Sequence, residues 1–216
     1  MAQTWKITSL DWQPYSDSKA QNNGLSIQKL RTLLKKRNIN LVVEFYPWLR
    51  AQELARQNPD YVGYFPAWPE EVKAGFIGSK PIDWSSIGVI GYKGVQINWQ
   101  NPEALFSAHK VCIVSTYVFP ADIEQAMKNH PANTVKSPDE ATIVKMLSKK
   151  RCDVALTDPK VMHFNAKLQN LDNIQTLVPS IRTKALVVAF KDNEVNRARL
   201  KLLNEIVGES VKNSDN

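Results

Sequence analysis

Glycine, cysteine and histidine are all scarce in this sequence, and no apolar run approaches the roughly 20 residues needed to span a bilayer. With 8 glycines in 216 residues, fibrous and low-complexity classes are excluded. The two cysteines, Cys112 and Cys152, form no CxxC pair and have no histidine at metal-ligand spacing. His109, His130 and His163 lie far apart and match no metal pattern, so neither a metal nor a cofactor is expected. No helix-turn-helix pattern precedes Trp5, and the basic residues form no stripe with interleaved aromatics, which argues against nucleic acid as a partner. The first residues, Met-Ala-Gln-Thr-Trp, carry neither a basic nor an apolar leader segment. That is expected of a cytosolic protein, or of a mature exported chain with an added Met.

What is present is an ordinary globular composition, 43% apolar and 23% charged, with a net charge of +7. The chain is long enough for one large domain or two small ones. Its basic clusters, Lys35-Lys36-Arg37 and Lys149-Lys150-Arg151, fall at predicted helix C-termini, where cations complement the helix dipole. Each cysteine lies in or beside a predicted strand, so buried thiols are the first expectation; a bridge is the alternative in an exported chain.

The periodicity predicts alternating strands and helices. Trp5 to Leu10 forms a first strand that empties into the aromatic loop Asp11-Trp12-Gln13-Pro14-Tyr15. Ile27, Leu30, Leu33 and Leu34 share one face of a helix, and Leu41 to Tyr46 forms a second strand. Pro47-Trp48-Leu49-Arg50 opens a second helix, Ala51 to Arg56. Tyr61 to Phe65, bounded by Pro66, suits a central strand of a parallel sheet with Trp68 at its mouth. In such sheets ligands lie outside the carboxyl ends of the strands, so aromatics after three successive strands mark a candidate surface. Packing beneath the loop is the competing role for Trp68.

From Ile82 the pattern changes: Ser86 to Tyr92 is a strand without an obvious crossover helix, and a second series begins. Pro102 to Ala108 is a short helix and Lys110 to Val114 a strand that ends at Ser115-Thr116-Tyr117. Pro120 to Asn129 is the next helix, and Thr134 to Lys136 the next strand. Ser137-Pro138-Asp139-Glu140 predicts a capping box with Pro138 at the first helical position, opening a helix to Lys150. Asp153 to Thr157 is a strand leading to Asp158-Pro159 and another helix. Ala185 to Phe190 is the last strand, and Leu200, Leu203, Val207 and Val211 form the stripe of a terminal helix. Two similar α/β lobes are implied, one discontinuous over 1–89 plus 185–216 and the other over 90–184.

The segments LDWQPY, FYPWLRA, FIGSKPI, KVCIVSTYV, MLSKKRCDVALTD and VVAFKDN, in this order and spacing, resemble the bacterial extracellular solute-binding proteins of family 3 over nearly the whole chain. The resemblance implies a type II periplasmic-binding-protein fold. Each lobe would be a mostly parallel sheet flanked by helices, joined to the other by two hinge strands that close over a small molecule. It also implies a periplasmic monomer that delivers its ligand to an ABC transporter permease or a sensor.

Carried onto this chain, the family's carboxylate-binding Arg falls at Glu71 or Val72 and is absent. Lys73 could replace it only as a point charge. Asp158 matches the family's amine-pairing acid, and serves equally well as a helix N-cap. The expected ligand set is Trp12, Tyr15, Trp48, Arg50 and Trp68 from the first lobe and Ser115, Thr116, Tyr117 and Asp158 from the second. It suits a small polar, aromatic or cationic ligand. A dehydratase-like enzyme on the same fold is one alternative, with Glu70 or Glu71 as acid or base, although both are expected to be solvated at a helix start. A ligand-sensing module of a receptor is another.

Overall fold

The computed structural model describes residues 3–212. They form two compact units, one comprising the chain up to Trp84 and again from Ala185, the other Ser85–Lys184. In the first unit, β1 (Gln3–Ser9) runs parallel to both β2 (Ile39–Phe45) and β3 (Gly63–Ala67). The short β4 (Phe76–Gly78) and β3 each pair antiparallel with β9 (Ile174–Lys191). The helices are α1 (Leu25–Lys35), α2 (Trp48–Gln57) and, at the carboxyl end, α7 (Glu194–Lys212).

In the second unit, β6 (Val111–Val114) is parallel to β7 (Thr134–Ser137) and β8 (Val154–Thr157). There β5 (Asp83–Tyr92) is antiparallel to β8. The helices of this unit are α3 (Pro102–Ala108), α4 (Ala121–Asn129), α5 (Glu140–Ser148) and α6 (Pro159–Leu168). Both sheets are thus mostly parallel with one antiparallel strand, and β5 and β9 carry the chain from one unit to the other.

Amphipathic spacing explains why the helices form where they do. Ile27, Leu30, Leu33 and Leu34 of α1 are all buried, as their spacing predicts, and each contributes about 1.5–3 kcal/mol relative to full exposure. Leu203 and Val207 of α7 are buried and Leu200 half-buried, while Val211, the last member of that stripe, lies outside the residues whose side chains are described. A side chain at Gly63 would place its Cβ 1.9 Å from the Ala189 carbonyl oxygen, so β3 and β9 can approach only with glycine there.

Three expectations are corrected. Pro66 does not end β3, which continues to Ala67; the register shifts between Tyr64 and Ala67, so the ladder does not require the N–H that proline lacks. Pro179 likewise sits inside β9, which is 18 residues long and begins at Ile174 instead of Ala185. Its carbonyl lies close over Gly88 of β5, and a carbonyl is the group proline retains. The helix after β7 is capped by Asp139, whose side chain accepts from Thr142 N at 2.7 Å, and not by Ser137. Ser137 is still strand, so the cap falls to the next acceptor along the chain.

A fourth correction concerns the cysteines, expected first as thiols. Cys112 and Cys152 are bonded to each other across 40 positions, inside a core with Ile143, Val144, Leu147 and Ala155. Closing a loop of that length restricts the unfolded chain and stabilises the native state by roughly 2–4 kcal/mol. Urea unfolding with and without reductant should therefore show a midpoint that falls on reduction. Identical midpoints, with two free thiols by mass in the native protein, would contradict the bridge.

Candidate functional site

The carboxyl end of β1 delivers the chain into a tight loop. Trp12 N donates to Ser16 O at 2.8 Å, Tyr15 N to Trp12 O at 3.0 Å, and Ser16 Oγ to Leu10 O at 2.7 Å. The loop is then tied to the start of α1, because Leu25 N donates to Pro14 O and Ser26 N to Tyr15 O, each at 2.9 Å. These are N–H groups that a helix start leaves without intrahelical acceptors. Gly24, with φ of +95°, permits the approach, since a Cβ there would lie 2.7 Å from Tyr15 O. So fixed, Trp12 and Tyr15 stack at 4.6 Å between ring centroids, and Trp12 meets Trp68 edge to face at 6.2 Å. All three are buried.

Trp68 follows β3, and a single turn of 3-10 helix, Pro69–Glu71, brings the chain back beneath it. The Glu71 carboxylate accepts from Trp48 Nε1 and from Trp68 N, both at 2.9 Å. Only 5% of Glu71 is exposed. The expectation that Glu70 and Glu71 are both solvated is therefore corrected: Glu70 is exposed, and Glu71 is a buried acceptor that fixes two indoles. Tyr64 completes the corner, donating its hydroxyl to Glu71 O at 2.7 Å, and burial pushes its phenol pKa up.

The first-unit residues expected to act together divide into three. Trp12, Tyr15 and Trp68 form one aromatic cluster. Trp48 faces Tyr64 at 5.4 Å and belongs to the core behind that cluster, linked to it through Glu71. Arg50 is exposed and lies over the Tyr46 ring at 5.6 Å. The Tyr46 hydroxyl in turn donates to Glu44, which also accepts from Tyr61 and pairs with Lys6 at 2.8 Å.

In the second unit the turn after β6 carries Ser115, which is exposed, and Thr116 and Tyr117, which are half-buried. The Tyr117 hydroxyl donates to Glu140 at the start of α5, and Thr157 Oγ1 donates to the same carboxylate at 3.1 Å. Burial and the neighbouring Glu140 charge raise the Tyr117 pKa well above that of a free phenol. Asp158 is fully buried and caps α6. One oxygen accepts from Lys160 N at 2.7 Å and Val161 N at 3.1 Å, and the other from Ser86 N at 3.0 Å. Sequence reasoning missed Glu140 and Thr157, and took Glu71 for a solvated helix-start acid. The available signal for Glu140 was a carboxylate in the first turn of a helix that follows a strand of the same parallel sheet as Asp158.

A hollow of about 580 Å³ lies elsewhere on the first unit, along α7 between Lys80, Arg197 and Lys201 on one hand and Glu205 and Glu209 on the other. Its mixed charges give it no preferred ligand.

No family model matches the sequence, and no curated protein matches it. Solved structures do share the fold. A histidine kinase sensor domain with similarity to periplasmic binding proteins superposes with a TM-score of 0.79 at 15% identity, covering 98% of this chain and 92% of that one. An ancestral arginine-binding protein bound to arginine gives 0.77 at 16% identity, with 98% and 93% covered. An ancestral amino-acid-binding protein, a precursor of cyclohexadienyl dehydratase, gives 0.71 at 19% identity, with 98% and 91% covered. The fold is thus the type II periplasmic-binding-protein fold expected from the sequence. No helix among the described residues is long and apolar enough to cross a membrane.

Two measurements test this geometry. Glu71→Ala leaves Trp48 Nε1 and Trp68 N without their buried acceptor and should lower the unfolding free energy in urea by about 2–4 kcal/mol. A change below about 0.5 kcal/mol would mean that water reaches both donors. Glu44 provides the pH test, because Lys6 first, then the Tyr61 and Tyr46 hydroxyls, lower its pKa to about 2 from its ordinary 4.5. A depressed carboxylate contributes stability that is fully present above its unfolded pKa and is lost as pH falls through the folded value. Stability should therefore decline between pH 4.5 and about 2. Glu44→Gln should flatten that limb, and an unchanged acid limb in the variant would contradict the assignment.

Proposed function

We propose that this chain is a non-catalytic binding protein that captures a small organic cation, an amine or guanidinium compound, outside the cytoplasm for a membrane permease or a sensor. The observation that carries the reading is the sign of the buried charge. Among the described residues four charged side chains are buried, and three of them are carboxylates placed just after strands or at the helix that follows: Glu71, Glu140 and Asp158. The fourth, Lys184, lies within β9. An α-carboxylate is best held by the fork of a guanidinium, and the one arginine expected at the site, Arg50, is exposed over Tyr46. A cation, by contrast, is the kind of ligand that carboxylates and aromatic rings attract, whichever unit supplies them.

The fold supports the binding role by likeness alone, since its neighbours include an arginine-binding protein and a sensor domain. The bonded cysteines favour an oxidising compartment, and the periplasm is the one we assign. A dehydratase-type enzyme is the second reading, favoured by the likeness to an enzyme precursor. Against it, Glu70 is exposed and Glu71 is committed to two indole-bearing residues, so neither is placed as a free acid or base.

The test is a thermal-shift screen of the whole chain against amino acids, polyamines, guanidinium compounds, sugars and cyclic acids, since a ligand of the native state raises its melting temperature. Amines or guanidinium compounds should give the shift. Trp12→Phe should then weaken that ligand by about 1–3 kcal/mol, read as a smaller shift from the variant's own unliganded melting temperature, which falls because Trp12 is buried. A shift with acids or sugars only, or turnover of a cyclic acid, would overturn the proposal.

A further inference from the structure

The second unit carries a basic face that the binding function does not use. Past the C-terminal turn of α6 the chain from Gln169 to Asn173 runs along α5: Gln169 Nε2 donates to Ala141 O at 2.9 Å, and Asn173 exchanges hydrogen bonds with the Ser148 hydroxyl at 3.0–3.2 Å. This leaves a hollow of about 420 Å³ lined by Lys145, Ser148, Lys149, Gln169 and Leu171. Both lysines are exposed, and neither makes an ion pair among the described residues.

The chemistry inside the hollow is specific. The Ala141 contact fixes the Gln169 amide with its oxygen turned the other way, and that Oε1 is buried without a hydrogen-bond partner among the described residues. That atom is shut off from the hollow, which itself offers two ammonium groups and the Ser148 hydroxyl, a set that matches a phosphate.

Its surroundings extend the match. Lys150, which lies over the Tyr92 ring at 5.0 Å, and Arg151 and Lys93 are exposed beside it. Lys93 N donates to Asn173 O at 2.7 Å, which holds the two segments together. Asp153 and Asp172 are the nearby acids; Asp153 already accepts from Lys110 N. The α5 dipole offsets about half a charge, so the face stays positive. At the last residue of α6, Leu168 is 65% exposed, an apolar side chain placed at the rim of a cationic surface.

We propose that this face docks on an anionic phospholipid bilayer, with a phosphatidylglycerol headgroup in the hollow. Its phosphate lies between Lys145 and Lys149, and Leu168 enters the boundary between headgroups and acyl chains. Lys150, Arg151 and Lys93 supply further attraction to the anionic surface. The inference does not depend on the identity of the ligand captured by the chain.

Co-sedimentation of the full chain with vesicles tests it. Binding is expected to mixed phosphatidylcholine and phosphatidylglycerol vesicles at low salt, to be absent with phosphatidylcholine alone, and to fall with added salt. Lys145→Glu with Lys149→Glu should cut partitioning by about tenfold or more, with an unchanged melting temperature showing that the variant folds. Lys35→Glu with Lys201→Glu makes the same change in net charge on the first unit and should leave partitioning within about twofold. Equal losses in the two variants would show attraction to the charge of the whole chain and overturn the docking site. So would equal binding to phosphatidylcholine.

Discussion

The placement of the first unit's aromatic residues depends on a carboxylate taken out of water. Glu71 sits at the end of a short turn after β3 and accepts from the indole of Trp48 and the backbone of Trp68. Removing a carboxylate from water is expensive unless its oxygens are satisfied, so the side chain does not merely tolerate these donors but holds them where they are. Trp48 is thereby fixed in the core against Tyr64, and the backbone of Trp68 is fixed where its ring meets Trp12. The loop that carries Trp12 and Tyr15 is locked independently by the first N–H groups of α1. Two separate hydrogen-bond systems thus set the two sides of one buried aromatic cluster, which holds its rings in place.

The second unit uses the same device with a different outcome. Its strand ends also bury carboxylates, but Asp158 meets its needs with three backbone N–H groups and Glu140 with the hydroxyls of Tyr117 and Thr157. Those donors are what allow the two carboxylates to sit in the interior of that unit.

Much of the architecture was legible because periodicity and punctuation agree. The α1 stripe, the Pro102–Ala108 helix and the Asp158 cap all lie where the sequence places them. The errors share a cause. Pro66 was read as the boundary of a strand, yet it occupies a position where the register shifts and its missing N–H is not required, a property of the partner strand. The disulfide joins residues 40 positions apart, and spacing alone carries no pairing. Glu71 looked like a solvated helix-start acid because nothing local shows that an indole 23 residues earlier returns to it. For the candidate site, the sequence marked the aromatic residues but not which of them pack together: Trp48 and Arg50 share a helical turn and yet end in different environments.

The account stands or falls on charge recognition beside an aromatic surface, and tryptophan fluorescence reads it most directly. A cationic ligand should shift the emission saturably, and its neutral analogue with a hydroxyl in place of the ammonium, close to it in size and shape, should bind at least about tenfold more weakly because the positive charge is lost. Equal affinity for the charged and neutral forms would show that the buried carboxylates serve folding alone and would contradict the account.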